Sequence, residues 1–168
     1  TFPPKAHHGI RLYLNRGDLK FEEAWFYPLH GAFKAIAADF DNDGDMDVAA
    51  TSFFPHFDGL GNESFVYLEN QGGMKFAAST FEECQRGRWL TMDAGDLDGD
   101  GDEDLLYAWA GGTQIFLNEP GNLAPGPELS IDGRSPTRSR AVALSDLDDD
   151  GDQDVILGHD VPAADELL

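Results

Sequence analysis

Short apolar runs alternate along the chain with polar segments rich in aspartate and glycine. Six of the runs form three pairs: AIAAD with DVAATSFF, WLTMDAGD with DLLYAWA, and AVALSD with DVILG. Apolar runs of this length, bounded by turn signals, are typical of buried strands, and one short acidic segment joins each pair. The pattern therefore predicts three β-hairpins, over residues 35–54, 90–110 and 140–158.

Other strands lie before and between these hairpins. IRLYLN and KFEEAWFY come first, and the tripeptide Arg16-Gly17-Asp18 stands between them. Arg-Gly-Asp is known as a cell-adhesion tripeptide, but its position here favours an ordinary hairpin turn. The same pattern returns as FVYLENQGGMKFAAS and begins again as QIFLN, where Asn15 matches Asn70. QIFLN continues into EPGNLAPGPEL, whose prolines allow only an edge strand or a loop.

The repeating unit thus has four strands and about 50 residues, which is typical of propeller blades. We predict an all-β fold, a β-propeller of about three four-stranded blades, forming a partial ring or part of a larger propeller. Residues 1–168 would be a single segment with a half blade at 10–30, blades at 35–82 and 90–130, and a half blade at 140–158. An insertion at 52–64 distinguishes the first full blade. The two half blades are complementary, so self-association through them is an expectation.

The acidic segment between the paired strands is a nonapeptide with carboxylates at every odd position and glycine at the sixth. It reads DFDNDGDMD, DLDGDGDED and DLDDDGDQD in turn. Hard oxygen ligands in such number favour Ca²⁺, and glycine permits the sharp turn that returns the ninth position to the ion. Three Ca²⁺ sites are predicted, with the seventh position of each offering its backbone carbonyl. The metal residues are Asp39, Asp41, Asp43, Asp45 and Asp47; Asp96, Asp98, Asp100, Asp102 and Asp104; and Asp146, Asp148, Asp150, Asp152 and Asp154.

A solvated turn and an EF-hand are the two alternatives to such a calcium loop. A solvated acidic turn without an ion would not require carboxylates at strictly odd positions. An EF-hand also begins D-x-D-x-D-G, but it needs a glutamate at position twelve and a helix on each side. Position twelve is Ala50, Tyr107 or Leu157 here, and the flanks are predicted strands. The nonapeptides are therefore interpreted as calcium loops of β-hairpins.

The nonapeptides and the Tyr-Leu-x-Asn strands together resemble the FG-GAP and VCBS repeat families, whose blades are similar to those of integrin α-subunit propellers. The resemblance covers roughly residues 10–158 and implies a calcium-binding propeller that is secreted or periplasmic. The Phe-Gly and Gly-Ala-Pro signatures of the integrin type are missing, which makes VCBS-like the closer description. The same family pattern assigns side-chain ligands to positions one, three, five and nine.

Composition and charge narrow the classes of function. The formal net charge is −21, but 17 of the 32 acidic residues lie in the three nonapeptides. A nucleic-acid footprint would need a basic patch, so no nucleic-acid partner is expected. The single cysteine, Cys84, excludes an internal disulfide framework. No membrane span or signal peptide is visible, and calcium loops of this density favour an extracellular or periplasmic location.

Three functional hypotheses remain open. The chain is expected to be a binding module that presents loops to an extracellular protein or glycan, or a structural repeat of a larger surface protein. A propeller-based polysaccharide lyase or hydrolase is the third alternative, but no catalytic motif is found, so an enzyme is not expected. Candidate glycan-stacking residues are Trp25, Phe57, Trp89 beside Arg86 and Arg88, Tyr107 and Trp109, most of which are as well explained as core.

Overall fold

The computed structural model of the 168-residue chain describes residues 7–53, 64–80, 89–109, 112–119, 122–131 and 139–159. Twelve β-strands and no helix are present in these ranges, and every strand pair is antiparallel. The prediction of an all-β fold is confirmed. The insertion predicted at 52–64 lies outside the described residues except for Ser52, Phe53 and Ser64, so Phe54, His56 and Phe57 are not placed.

The strands form two four-stranded sheets flanked in sequence by two two-stranded sheets. The first pair is β1 (Gly9–Asn15) and β2 (Phe21–Pro28). The first full sheet contains β3 (Ala32–Ala38), β4 (Asp47–Ser52), β5 (Phe65–Asn70) and β6 (Phe76–Ser79). The second contains β7 (Trp89–Gly95), β8 (Asp104–Trp109), β9 (Gly112–Glu119) and β10 (Asn122–Glu128). The last pair is β11 (Ser139–Ser145) and β12 (Asp154–His159).

Strands that are adjacent in sequence are also adjacent in each sheet, as in the blades of a propeller. By this order β3 and β7 are the first strands of two full blades, and β11 is the first strand of a third. β1 and β2 correspond to the third and fourth strands of a blade. The proline-rich strand β10 lies at the edge of its sheet, with an irregular register between Pro125 and Glu128. Proline has no N–H to donate, and at the edge of a sheet this loses no hydrogen bond between strands. Of the two structures that the sequence allows here, an edge strand or a loop, the edge strand is the one observed.

The turn between β1 and β2 is built on left-handed backbone. Gly17, Asp18 and Leu19 all have positive φ, and the backbone N–H of Arg16 donates to the carbonyl of Lys20 at 2.7 Å. The side chain of Asn15 accepts from the N–H of Gly17 at 2.9 Å and helps to close the turn. Residues 16–18 therefore serve as a hairpin turn, as the sequence predicts.

Three apolar layers lie between successive sheets. The layer between β1–β2 and the first full blade contains Leu29, Val66 and Leu68, with Trp25 and Phe76 in ring contact at 4.4 Å. The layer between the two full blades is the most aromatic. Its buried members are Ala38, Phe40, Ala49, Phe65, Met92, Leu105, Tyr107, Phe116 and Leu123. The third layer joins the second blade to β11–β12 through Leu106, Ala108 and Val142. Blade-to-blade stacking is thus what buries the apolar face of each strand.

Polar contacts also cross from blade to blade. The ammonium group of Lys34 on β3 lies 3.9 Å from one carboxylate oxygen of Asp93 on β7. The other oxygen of Asp93 accepts from the backbone N–H of Leu144 on β11 at 2.9 Å. One carboxylate therefore connects the first strands of three consecutive blades.

Candidate metal centres

The three nonapeptides connect the first and second strands of three blades. In register, Ala38 lies opposite Asp47, Gly95 opposite Asp104, and Ser145 opposite Asp154. The ninth residue is therefore the first residue of the returning strand in every copy. This register brings the two ends of each loop together, so that positions one and nine are close although seven residues lie between them.

Each loop gathers three carboxylates whose nearest oxygen atoms all lie within 4.8 Å of one another. In the second loop they are Asp96, Asp98 and Asp104, and in the third they are the equivalent Asp146, Asp148 and Asp154. In the first loop the group is Asp39, Asp41 and Asp43, so position five replaces position nine. Asp100 and Asp150 at position five, and Asp47 at position nine, stay predicted ligands that lie outside these groups.

The first aspartate of every loop organises the backbone around itself. One of its oxygens accepts from the N–H of the glycine at position six at 3.0 Å in all three copies, from Gly44, Gly101 and Gly151. Its other oxygen accepts from Asp43 at 3.1 Å in the first loop, from Gly99 at 2.7 Å in the second and from Asp150 at 3.2 Å in the third. The loop therefore wraps its backbone amides around the carboxylate at position one.

Two residues of each loop have left-handed backbone. The glycine at position six has φ between 94° and 98° in the three copies. Position four also has positive φ, with Asn42, Gly99 and Asp149 in the range 56° to 80°. Glycine, asparagine and aspartate are the residues that enter this region most readily. The residue types at position four therefore carry the same signal as the glycine at position six.

The backbone N–H of the seventh aspartate is bound by the carboxylate two residues earlier. The N–H groups of Asp45, Asp102 and Asp152 donate to the carboxylate at position five at 2.8 to 2.9 Å. Their own carboxylates are not among the three-membered groups. The carboxylate of Asp102 instead accepts a hydrogen bond from the side-chain amide of Asn42 in the neighbouring loop. The role of their carbonyls as ligands stays a prediction.

The ninth aspartate holds the hairpin to the third strand of its blade. Asp47 accepts from the N–H of Asn70 at 2.7 Å and from the hydroxyl of Tyr67 at 2.7 Å, and Asp104 accepts from the N–H of Asn118 at 2.8 Å. One oxygen of each ninth aspartate also accepts from the N–H of position two, at 3.2, 2.8 and 2.9 Å along the chain. Asp47 and Asp104 are buried. These contacts give the ninth aspartate a structural role in addition to its predicted metal role.

Asn70 and Asn118 were not predicted as site residues. Their side-chain amides donate to the carbonyls of Met46 and Glu103 at 3.1 and 3.2 Å, just before the ninth aspartate. Asn118 also donates to the carbonyl of Phe40 in the preceding blade. The recurrence of asparagine at the end of the third strand was visible in the sequence, but the loop it contacts lies 23 or 14 residues away. Only the fold identifies the partner.

Crowding of carboxylates and burial disfavour ionisation in the first two loops. Burial raises the pKa of Asp41, and Asp47, Asp43 and Asp39 nearby raise it further. Burial also raises the pKa of Asp104, although its hydrogen bonds from Asn118 and Leu97 oppose the shift. The pKa of Glu103 is raised by burial and then by Asp96, Asp104 and Asp93. A bound cation would relieve this repulsion, because opposite charge favours the ionised form.

The candidate glycan-stacking aromatics are largely part of the core. Tyr107 is fully buried and makes edge-to-face contacts with Phe65 and Phe116, each at 5.3 Å. Trp25 and Trp109 are half-buried against the first and second apolar layers. Phe57, Arg86 and Arg88 lie outside the described residues, as does the side chain of Trp89. The placed aromatics therefore support the core alternative stated for them.

Comparison with known families agrees with the blade pattern and the loops. Residues 5–50 and 96–157 match the family model of the FG-GAP-like repeat, which is more than half of the chain. The chain belongs to the FG-GAP-like repeat family. The matched ranges include all three nonapeptides. Comparison with curated proteins gives no match.

β-Strands account for all regular secondary structure in the described ranges. Among those residues no helix is long and apolar enough to cross a membrane.

Proposed function

We propose that this FG-GAP-like propeller module binds three Ca²⁺ ions, one in each nonapeptide loop. The observation that carries the proposal is the threefold recurrence of one arrangement: three carboxylates within 4.8 Å, with both oxygens of the first aspartate held by backbone amides. A cluster of like charges at this spacing is costly unless a cation joins it. Oxygen-only donors favour Ca²⁺ or Mg²⁺, and the large number of carboxylates per loop favours Ca²⁺.

The donor set fits such an ion. An ionised carboxylate offers about four lone-pair positions, so the first aspartate retains capacity after it accepts two N–H bonds. Positions one and three would hold the ion in every loop. Position five would assist in the first loop, and position nine in the second and third. When bound, the ion would neutralise the cluster and fix the turn between the first two strands of each blade.

The module would then serve as a calcium-stiffened scaffold in a compartment rich in calcium, outside the cytosol. Its loops would be presented to an extracellular protein or glycan, and no catalytic role is assigned to it. The FG-GAP-like family supports a repeat module, and the net charge of −21 is concentrated where cations would bind. A purely structural repeat within a larger surface protein is the second candidate, favoured by the core position of the placed aromatics.

Calorimetric titration of the EDTA-treated, dialysed protein with CaCl₂ tests the metal proposal. We expect three equivalents of Ca²⁺, with weaker uptake in the same titration with MgCl₂. Asp98→Ala should reduce the stoichiometry to two, whereas the matched control Glu22→Ala, at an exposed position on β2, should leave three. Absence of calcium uptake by the folded protein contradicts the proposal. A glycan array with calcium present then separates a glycan-binding module from a structural repeat.

A further inference from the structure

The first two nonapeptide loops are joined by direct hydrogen bonds, although they belong to different blades. The side-chain amide of Asn42, at position four of the first loop, donates to the carboxylate of Asp102, at position seven of the second. The side-chain amide of Asn118 donates to the carbonyl of Phe40, at position two of the first loop. The backbone N–H of the same asparagine donates to Asp104, at position nine of the second loop, at 2.8 Å. Two separate routes therefore run between the loops.

Asn42 is held in the first loop by the residues that would bind its ion. It stands between Asp41 and Asp43, two of the three carboxylates gathered there. Its backbone is left-handed, with a φ of 56°, which is an uncommon conformation for a residue other than glycine. An ion bound by Asp41 and Asp43 would fix the chain on both sides of Asn42. Occupancy of the first loop would therefore fix the direction in which the amide points.

At the other end of this bond, Asp102 is the residue whose backbone carbonyl is a predicted ligand of the second loop. Its carboxylate lies outside the group of three carboxylates, so the hydrogen bond from the neighbouring loop does not compete with the ion for it. Its N–H donates to the carboxylate of Asp100 at 2.9 Å. The bond from Asn42 therefore restrains positions five and seven of the second loop from outside that loop.

The route through Asn118 is buried at both ends. Phe40 is 1 % exposed and Asn118 is 2 % exposed. The N–H of Phe40 donates to Asp47 at 3.2 Å, so the backbone of Phe40 connects position nine of the first loop to Asn118. Asp104, which accepts the other bond from Asn118, belongs to the carboxylate group of the second loop. Since an unpaired polar group is costly in a low-dielectric interior, neither loop can shift independently without breaking a buried bond.

Position four distinguishes the first loop from the second. Asn42 carries an amide that reaches the neighbouring loop, whereas Gly99 has no side chain with which to reach the third. All three loops have positive φ at this position, so glycine can stand there without strain. Asn42→Gly therefore removes the first route and keeps the turn. Asp149, at position four of the third loop, offers a matched control.

We propose that the first two calcium sites bind cooperatively, so that Ca²⁺ in either loop raises the affinity of the other through the bonds from Asn42 and Asn118. This coupling rests on the calcium-binding function proposed above and adds a regulatory link between two of its sites. The first ion orders one loop and, through these bonds, part of the other. The second ion then binds at a smaller cost in conformational entropy.

The charge of the first ion acts in the opposite direction, because it weakens the negative potential at the second loop. Salt screens this repulsion over about 8 Å at physiological ionic strength, and positions three and five of the second loop, Asp98 and Asp100, are exposed to solvent. The hydrogen-bonded routes are not screened in this way, so they should dominate at that ionic strength. We expect a gain of about fivefold in affinity, which linkage requires to be the same for both sites.

Calorimetric titration of the full chain with CaCl₂ in an Asp148→Ala background measures the coupling, because only the first two sites then remain. Adding Asp98→Ala leaves the first site alone, and adding Asp41→Ala leaves the second alone. Each site should bind about fivefold more weakly when the other is removed. Asn42→Gly should keep two equivalents of Ca²⁺ and lower this ratio at least about twofold. Asp149→Gly should leave the ratio unchanged. Asn42 and Asp149 are exposed, so thermal melts should show both variants folded.

Hydrogen exchange followed by NMR tests the route itself. In the Asp98→Ala and Asp148→Ala double variant, CaCl₂ fills only the first loop, yet it should slow exchange at the N–H of Asp102 in the second. Asn42→Gly should weaken this protection. Two equivalents bound with mutually independent affinities overturn the coupling and leave the calcium proposal intact, whereas absence of calcium uptake overturns both. A coupling ratio that is the same in Asn42→Gly as in Asp149→Gly overturns the route through Asn42.

Discussion

The backbone N–H of Asn118 donates a 2.8 Å hydrogen bond to the carboxylate of Asp104, 14 residues earlier in the chain. Asn118 is buried, and its side-chain amide donates in addition to the carbonyls of Glu103 and Phe40. A single asparagine thus connects the acidic loop of its own blade to that of the preceding blade. Asn70 makes the equivalents of the first two contacts, to Asp47 and to the carbonyl of Met46.

Replacement of Asn118 by alanine should therefore destabilise the protein. The backbone bond to Asp104 survives, but the buried carbonyl of Phe40 and the partly buried carbonyl of Glu103 lose this donor. An unsatisfied buried group costs about 1–3 kcal/mol. We expect a loss of about 2 kcal/mol in the free energy of unfolding, measured by urea denaturation. Gln71→Ala is a suitable control, because Gln71 is exposed and its side chain makes only a 3.4 Å contact with Glu69. Equal midpoints for the two variants would contradict this role for Asn118.

Asp47 should stabilise the fold even when calcium is absent. Its buried carboxylate accepts from Phe40, Tyr67 and Asn70, and bonds to charged groups are worth about 1.5–3 kcal/mol each. Asp47→Asn replaces one acceptor oxygen by an NH₂ group facing these donors. In EDTA this variant should lose at least about 2 kcal/mol of unfolding free energy. Asp98→Asn, an exposed position whose carboxylate accepts one 3.3 Å backbone bond, should lose much less under the same conditions.

The sequence was sufficient to predict the strands and the arrangement of loops because both depend on local patterns. Paired apolar runs around D-x-D-x-D-G-D-x-D predict a hairpin wherever they occur, and the register of Ala38 with Asp47 follows from the length of the loop. The prolines of β10 restricted it to an edge or a loop, and the structure has an edge strand. Alternation along β8 favoured a core role for Tyr107, and the residue is fully buried.

The contacts between distant segments could not be predicted in this way. Asp47 is absent from the carboxylate group of the first loop and accepts a hydrogen bond from Tyr67, whereas Asp104 and Asp154 belong to their groups. Tyr67 supplies a third donor to Asp47, and the corresponding residue in the next blade is Ile115, which has no hydroxyl. This contact comes from a side chain on another strand, so the nearly identical nonapeptides give no sign of it. The link from Lys34 through Asp93 to Leu144 likewise requires the stacking of blades.

Calcium should stabilise the folded protein through the second loop. A ligand that binds only the native state raises stability by mass action. Asp98→Ala removes one member of the Asp96, Asp98 and Asp104 group, so it should lower the melting temperature in CaCl₂ by several degrees. Glu22→Ala removes only an exposed ion pair with Arg16 at 2.9 Å, and such pairs contribute about 0–1 kcal/mol. In EDTA the difference between the two variants should shrink. Equal melting temperatures in calcium would count against a structural ion.

Glu103 should destabilise the calcium-free protein at neutral pH. Burial, followed by the charges of Asp96, Asp104 and Asp93, raises its pKa above the ordinary value of 4.5. The folded state then binds a proton more tightly than the unfolded state. The resulting stabilisation is fully present below pH 4.5 and is lost as the pH rises through the raised pKa of the folded state. Glutamine at this position is neutral at every pH, and the backbone carbonyl that accepts from Asn118 is retained.

Glu103→Gln in EDTA should therefore melt at a higher temperature than the parent protein at pH 7, and this advantage should diminish as the pH is lowered through the raised pKa towards 4.5. Thermal melts followed by circular dichroism at a series of pH values measure the effect. Glu22→Gln, which replaces an exposed glutamate paired with Arg16, is the matched control and should show no such gain at pH 7. In CaCl₂ the advantage of Glu103→Gln should be smaller, because the ion already offsets the repulsion around Asp96 and Asp104. A lower melting temperature for Glu103→Gln at pH 7 in EDTA would show that its charge does not oppose folding.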